Sequence, residues 1–600
     1  MWSLVNFILR NNKILLFVNY FRSVKKKGIK KTFGDFSAGI KERKKNLKYF
    51  TYLSKRERTS QENMVFIKNH KISIIVSLFN TQEQYLVDMI ESVSSQTYSN
   101  YELCLVDGSD KNHPNVRQIC KTYTQNDNRI KYRKVNRNIG ISDRLNKAID
   151  MSSGDFIGLL HQSDILHPSA LYEVINVICD KKADFIYTDE AFFSDKYYIT
   201  LRHHKPGYAI DTLCSHNYIS HLTVFNKDLL EKTGFFRTEY DGSQDYDLTL
   251  RCTNVASKIY HIPKLLYYRR DDKKNISPDI KRKIENISTT EKVIKDFLKR
   301  QDKPAHVESK IELPGFFRVI YELKERPKVS IIIPNKDSAS ILRKCISSIL
   351  QKTTYNNYEI IIVENNSKED AVFGFYEELK RYENIRIVSW KGEGFNFSEI
   401  SNFGVYNSDG AHLLFLNNDV TIITPNWLEE MLMYSQRSDV GAVGAKLYYP
   451  NGSVQHAGLI LGLGGLASHV FQSVQHDTIG YIGKLQIVQN LSIVTAACMM
   501  IKRKIFYEVG PFAPEFPNSF NDVDLCLKIR KAGYLIVWTP YAEAYHLESK
   551  SRGYNVGARK RLKHAQDVEL FRKRWHNELS AGDPYYNCNF SLEENDYRIK

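Results

Sequence analysis

The chain carries one unit twice. A shift of 257 residues lays Lys71-Ile72-Ser73-Ile74-Ile75-Val76 on Lys328-Val329-Ser330-Ile331-Ile332-Ile333, and lays Tyr98 to Asp107 (YSNYELCLVD) on Tyr355 to Glu364 (YNNYEIIIVE). One shift that holds across two strand-like runs and the segment between them marks duplicated supersecondary structure, because unrelated segments do not share both pattern and spacing. The repeat is too long for a solenoid unit, so each copy is a domain.

Within the first copy, KISIIVSLF, YELCLVD, IKYRKV, DFIGLLH and DFIYTD read as strands, and Gln84 to Val93, Ile141 to Asp150 and Ser169 to Cys179 as helices. The second copy repeats the order with KVSIIIP, YEIIIVE, IRIVSW and AHLLFLN, and with helices near Leu342 to Leu350, Asp370 to Arg381 and Trp427 to Ser435. Strands alternating with helices imply an α/β fold with a Rossmann-like, mostly parallel sheet in each copy. The expected organisation is a basic amphipathic segment over 1–65, a first domain over 66–275, a helical linker over 276–326, a second domain over 327–555 and a helical tail over 556–600. In that tail, Leu570, Phe571 and Trp575 are expected to pack on the second domain.

Charge is unevenly placed. The first 60 residues hold 16 Lys and Arg against Asp35, Glu42 and Glu57, which is +13 of the formal +17, so the other 540 residues carry only +4. That confinement, with no nucleic-acid motif interleaved, argues against a nucleic-acid partner despite a pI near 9.1. The same segment is aromatic-rich, from Trp2 to Phe21, yet no apolar stretch reaches the 18 or so residues a span needs, and Arg10 and Lys13 interrupt it without a cleavage site. It suits an anionic membrane surface, here the inner face of the cytoplasmic membrane; the alternative is a helix packed on the first domain. The nine cysteines have no zinc-site spacing and read as buried thiols.

Ligands of open α/β sheets lie beyond the carboxyl ends of the strands. After AHLLFL stands Asn417-Asn418-Asp419; after DFIGLL stands His161-Gln162-Ser163-Asp164. Asn146 and Asn402 fix the register at 256, which puts Ser163 where Asp419 stands and Asp164 one residue beyond. Such a tripeptide alone is usually a turn and less often a metal site. Further on, SQDYDLTLR (Ser243 to Arg251) matches FNDVDLCLK (Phe520 to Lys528), pairing Asp245 with Asp522 and Asp247 with Asp524. Two acids in a first helical turn are favoured by the helix dipole whether or not they do chemistry, and the two carboxylates of an Asp-x-Asp cannot share one face. His546, in TPYAEAYHLESKSRG with Glu548, Ser549 and Arg552 behind it, is either a structural histidine or a ligand.

Together these motifs, with VENNS, GFNFSEISNFG and VGAKLYYPNGSVQHAG, resemble the inverting family 2 glycosyltransferases of the GT-A fold. The likeness covers residues 70–270 and 327–555 and is nearest to bacterial O-antigen and rhamnan-type surface-polysaccharide transferases. It implies that Asp419 and His546 hold a divalent cation, Mg²⁺ or Mn²⁺, against the donor diphosphate. It places Pro334, Asn335, Glu364, Asn366, Asn402, Asn417 and Asn418 on a nucleotide-sugar donor, a dTDP- or UDP-sugar, and makes Asp522 the base. In the first copy, which also keeps Asn138, the implied donor residues are Ser77, Asp107 and Asn146, the base is Asp245, and Asp164 is the one acid left of a motif that in the family more often reads Asp-x-Asp-Asp. Asp189 and Glu190 are candidates to compensate. The implied acceptor is a lipid-linked or growing surface polysaccharide. The rivals are a bifunctional synthase with both domains active and a catalytically dead glycan-binding scaffold.

Overall fold

A computed structural model describes residues 51–135, 139–271, 276–310, 313–547 and 558–600. Most of the basic arm, Asn138, and the Glu548, Ser549 and Arg552 behind His546 lie outside the described residues. The chain divides into two compact units. Unit 1 comprises 1–205, 219–293 and 309–315; unit 2 comprises 206–218, 294–308 and 316–600.

Unit 1 is built on nine strands: β1 (Ile72–Leu78), β2 (Tyr101–Asp107), β3 (Ile130–Lys134), β4 (Phe156–Leu159), β5 (Ile165–Leu166), β6 (Phe185–Ser194), β7 (Ile199–His203), β8 (Thr223–Asn226) and β9 (Ile259–Asp271). Their order is β3-β2-β1-β4-β8-β6-β9-β5, with β7 on β6. Two short strands, β10 (Ala305–Ser309) and β11 (Phe317–Tyr321), pair with each other inside the stretch expected to be a helical linker, after a helix over Ile276–Arg300.

Unit 2 contains β12 (Val329–Asn335), β13 (Tyr358–Glu364), β14 (Ile385–Ser389), β15 (His412–Leu416), β16 (Val420–Ile422), β17 (Val440–Tyr448), β18 (Val454–His456), β19 (Leu459–Leu461), β20 (Ala467–His469), β21 (Gln489–Leu491), β22 (Cys498–Lys502) and β23 (Leu535–His546). Its main sheet runs β14-β13-β12-β15-β22-β17-β23-β16. That is the unit 1 order strand for strand. β19 and β20 form a separate ribbon.

Both sheets are mixed, and most of their strands run the same way. The first four strands of each are parallel, while β8 and its counterpart β22 run antiparallel to both neighbours. The parallel strands are buried on both faces, which is why β1 and β12 read as near-continuous runs of Ile and Val rather than as an alternation.

One device is built twice at the amino ends of these strands. Ser73 Oγ donates to Glu102 (2.6 Å) and accepts from Gly154 N (2.9 Å); Ser330 Oγ donates to Glu359 (2.7 Å) and accepts from Gly410 N (2.8 Å). Any side chain at Gly154 or Gly410 would place a Cβ 2.5 Å from that oxygen. Burial disfavours the Glu359 anion, but hydrogen bonding to Asp409, Ser330 and Arg386 outweighs it and brings the carboxyl down to about 2.

The tail belongs to unit 2. Helices over Ala558–Arg574 and His576–Ala581 lead into an irregular end, and Phe571, Trp575, Tyr586, Phe590 and Tyr597 are buried in the unit 2 core, with Leu570 half-buried against it. Each buried aromatic is worth roughly 1.5–3 kcal/mol of removed apolar surface.

Candidate functional site

In unit 2 the carboxyl ends of β12, β13 and β15 deliver Asn335, Glu364 and Asn417-Asn418-Asp419 to one edge of the sheet. The side chains link in series. Asn418 Nδ2 donates to Asn335 Oδ1 (2.7 Å), Asn335 Nδ2 to Tyr376 Oη (2.9 Å), and Tyr376 Oη to Glu364 Oε2 (2.6 Å). Burial and the adjacent Glu364 push the Tyr376 phenol far above its usual range, so it stays a donor. Glu364 also accepts from Ser367 N and Oγ. Three of a carboxylate's roughly four acceptor positions are thus occupied by protein. Glu364 therefore shapes the loop after β13 with most of its acceptor positions filled.

Asn366, held in the left-handed region (φ 53°), donates to Gly392 O (2.9 Å) and closes that loop. Pro334 is half-buried beside Asn335. The Asn402 amide donates to Phe512 O (2.9 Å), and its equivalent Asn146 both donates to Phe236 O (2.9 Å) and accepts from Phe236 N (3.0 Å). These two asparagines brace a helix against the loop preceding the Asp-x-Asp helix. In Asn146 one N–H and one lone pair of the amide are used in this bracing.

The metal candidates meet. The carboxylate of Asp419, 4% exposed, has Oδ1 3.1 Å from His546 Nε2, and Asn417 Nδ2 lies 3.1 Å from the same nitrogen. Antiparallel pairing explains the meeting, since β16 begins right after Asp419 and its Val420 lies opposite His546. His546 Nδ1 is 2.8 Å from Gln455 Oε1. A proton on Nδ1 satisfies that oxygen and turns the Nε2 lone pair toward Asp419, the second-sphere arrangement that orients metal-binding histidines. One carboxylate and one imidazole suit Mn²⁺ better than Mg²⁺, which prefers oxygen ligands alone. Among the described residues no three His, Cys, Asp or Glu side chains form a complete cage, so such an ion would share its coordination with donor phosphate or water. Nearby His456, fully buried, is held well below its usual range by burial, with His469 and His546 adding to the effect. Gln455 and His456 lie inside the quoted VQHAG stretch, but nothing in their spacing announced a role.

The two acids of the Asp-x-Asp helix divide as expected of neighbours on different faces. Asp524, with no exposed surface, accepts from Trp575 Nε1 (3.0 Å) and Arg574 (3.2 Å) and pairs with Lys528 (3.2 Å). Asp522 is half-buried and accepts one backbone N–H on each oxygen, from Val523 (2.9 Å) and Ala496 (3.2 Å).

In unit 1 the corresponding edge opens into a cavity of about 350 Å³ whose walls include Ser77, Arg144, His161, Gln162, Asp245 and Arg269. Asp245 lines it with no hydrogen-bond partner among the described residues. Asp247 is instead held by Arg237 and Arg251 (2.8 Å). Ser77 Oγ accepts from Arg144 Nε (2.7 Å). Asp107 accepts from Tyr132 Oη and Ser109 N (both 2.7 Å) and is as internally committed as Glu364.

Asp164 is corrected as a metal candidate. It is buried, and its carboxylate accepts from Tyr267 Oη (2.7 Å) and Arg270 N (3.0 Å). Asp189 and Glu190 do not compensate: Asp189 is clamped by His204 (2.8 Å) and His261 (2.7 Å), Glu190 by His203 (3.0 Å).

The family model for glycosyl transferase family 2 matches residues 73–235 and 330–510, more than half of the chain. The chain belongs to that family, with one family domain in each unit. It is 38% identical over 530 residues to protein y4gI of Sinorhizobium fredii, covering 88% of this chain and 58% of that one. Over 535 residues it is 32% identical to the O-antigen biosynthesis protein RfbC of Myxococcus xanthus, covering 88% of this chain and 41% of that protein. The chain thus spans about half the length of these relatives. Among solved structures, S. aureus TarS 1-349 aligns at 17% identity with a TM-score of 0.30, covering 38% of this chain and 71% of that one. Among the described residues no helix is long and apolar enough to cross a membrane.

Proposed function

We propose that unit 2 is an inverting transferase that moves a sugar from a nucleotide donor, a dTDP- or UDP-sugar, to a lipid-linked or growing surface polysaccharide. The observation that carries this reading is the 3.1 Å approach of Asp419 Oδ1 and His546 Nε2 at the carboxyl edge of the sheet, with Gln455 fixing the imidazole. The likeness to RfbC supports the class of acceptor.

Asp419 and His546 would hold Mg²⁺ or Mn²⁺, which when bound neutralises charge on a diphosphate leaving group. Asn417, beside the same nitrogen, positions that pair. The Asn418, Asn335, Tyr376 and Glu364 series keeps the nucleotide edge rigid. Asp522 is the base. Its carboxylate is anchored by two backbone N–H groups but keeps lone pairs free for an acceptor hydroxyl. The acceptor oxygen bonds to the anomeric carbon as its proton passes to Asp522, and the bond from that carbon to the diphosphate oxygen breaks with its electron pair leaving on the diphosphate. One displacement inverts the configuration.

A second reading, a bifunctional synthase, is favoured by Asp245 on the wall of the unit 1 cavity. The cytoplasmic membrane face is the proposed site of action, and the basic segment over 1–65 the proposed contact with anionic lipid. Turnover of a nucleotide-sugar panel with Mn²⁺ tests the assignment. Asp522→Asn is expected to abolish all transfer, and Asp245→Asn to leave it. Two separable activities, each lost with one aspartate, would establish the second reading.

A further inference from the structure

Both candidate ligand positions of the unit 2 metal motif are changed in unit 1. In unit 1, β5 pairs with β9 so that Ile165 faces Tyr268; in unit 2, β16 pairs with β23 so that Thr421 faces Tyr545. Counting from these pairs, Ser163 occupies the place of Asp419, and Arg269 occupies the place of His546. A guanidinium cannot ligate a cation, and the carboxylate of Asp164, 2% exposed, already accepts from Tyr267 Oη, the Arg270 main chain and Ser163 Oγ. The residues of unit 1 do not fit a divalent ion.

They fit an anion instead. Arg269 lines the cavity, and its guanidinium lies 5.3 Å from the Phe192 ring centroid. Arg144 lines the same cavity and is steadied by Ser77 Oγ (2.7 Å) and Ile139 O (2.6 Å). Both guanidinium groups remain charged at any physiological pH and match phosphate oxygens in a planar fork. Asp245 lines the same space, so a bound diphosphate would lie in one cavity with the counterpart of the unit 2 base. The volume, about 350 Å³, lies at the lower end of the range of small-ligand pockets.

We propose that unit 1 binds the diphosphate of a nucleotide without a divalent ion, Arg269 supplying the positive charge that Asp419 and His546 recruit as a metal in unit 2. The contrast rests on the reading of unit 2 given above. A fixed cation does the neutralising in one copy and an exchangeable one in the other.

Calorimetric titration of the full chain with UDP, dTDP and GDP in turn tests this, once with Mn²⁺ and once with EDTA. At least one of these nucleotides is expected to bind at two equivalents with Mn²⁺ and at one with EDTA. In Arg269→Gln the EDTA-resistant equivalent should weaken about ten- to hundredfold, the loss of one or two charge-assisted hydrogen bonds, while the Mn²⁺-dependent equivalent stays. Arg269→Lys should keep part of the affinity, which a purely structural role would not require, and an unchanged unfolding midpoint guards against misfolding. Absence of all binding in EDTA, or EDTA-resistant binding indifferent to Arg269→Gln, overturns the proposal. Loss of the Mn²⁺-dependent equivalent alone would count against the reading of unit 2 and leave this one standing.

Discussion

Units 1 and 2 share eight strands in one order, the same serine-glutamate-glycine device and an Asp-x-Asp helix, yet they present different chemistry at the same edge. Unit 2 gathers Asp419, Asn417 and His546; unit 1 offers Ser163, His161 and Arg269. A fold held by burial of its strands tolerates such exchange, because residues just past the strand ends carry little of the packing energy. The difference teaches that a duplicated scaffold can hold its Asp-x-Asp helix while changing the charge carried at the strand ends beside it.

The comparison breaks most readily at the inner acid of each Asp-x-Asp helix. Asp524 depends on Trp575 and Arg574 from the tail, whereas Asp247 depends on Arg237 and Arg251 from within unit 1. Trp575→Ala should cost about 3–5 kcal/mol by cavity creation and by leaving Asp524 short of a donor. Denaturant unfolding of the full chain checks this; a loss below about 1 kcal/mol would mean the tail is an appendage and not part of the core.

Acid separates the units next. His412 begins β15, where unit 1 has Phe156 at the start of β4; each faces the first residue of its neighbouring central strand. Burial, with Lys502 adding, brings His412 down from 6.5 to about 4. The neutral ring is the folded form, so the unfolded chain binds the extra proton. Its penalty is absent above pH 6.5, grows as pH falls, and reaches about 3 kcal/mol near pH 4. His412→Phe, copying unit 1, should flatten the pH dependence of unfolding between those limits; an unchanged slope would assign acid sensitivity elsewhere.

The smallest effect concerns orientation. Gln455 holds His546, so Gln455→Ala should weaken Mn²⁺ binding about 10- to 100-fold. Manganese titration by electron paramagnetic resonance reads it directly. Equal affinity in the variant would show that His546 needs no second support.

The duplication, the α/β class and the two-copy register were legible because strands buried on both faces leave long β-branched runs that survive as pattern. The pairing of Asp245 with Asp522 was legible too, since both sit in a short motif with fixed neighbours. The partners of Asn146 and Asp164 were not, because they are chosen by distant backbone: Phe236 and Arg270, 90 and 106 residues along, reach them only in the folded chain.

By itself, the sequence determined that Ser163 stands for Asp419 within a repeated domain. Only the tertiary structure decided that Arg269 stands for His546. The shift between the copies is 257 residues at the first strands but 277 at these last ones, and across that insertion nothing but the hydrogen-bond register of β5 with β9, and of β16 with β23, sets one residue against the other.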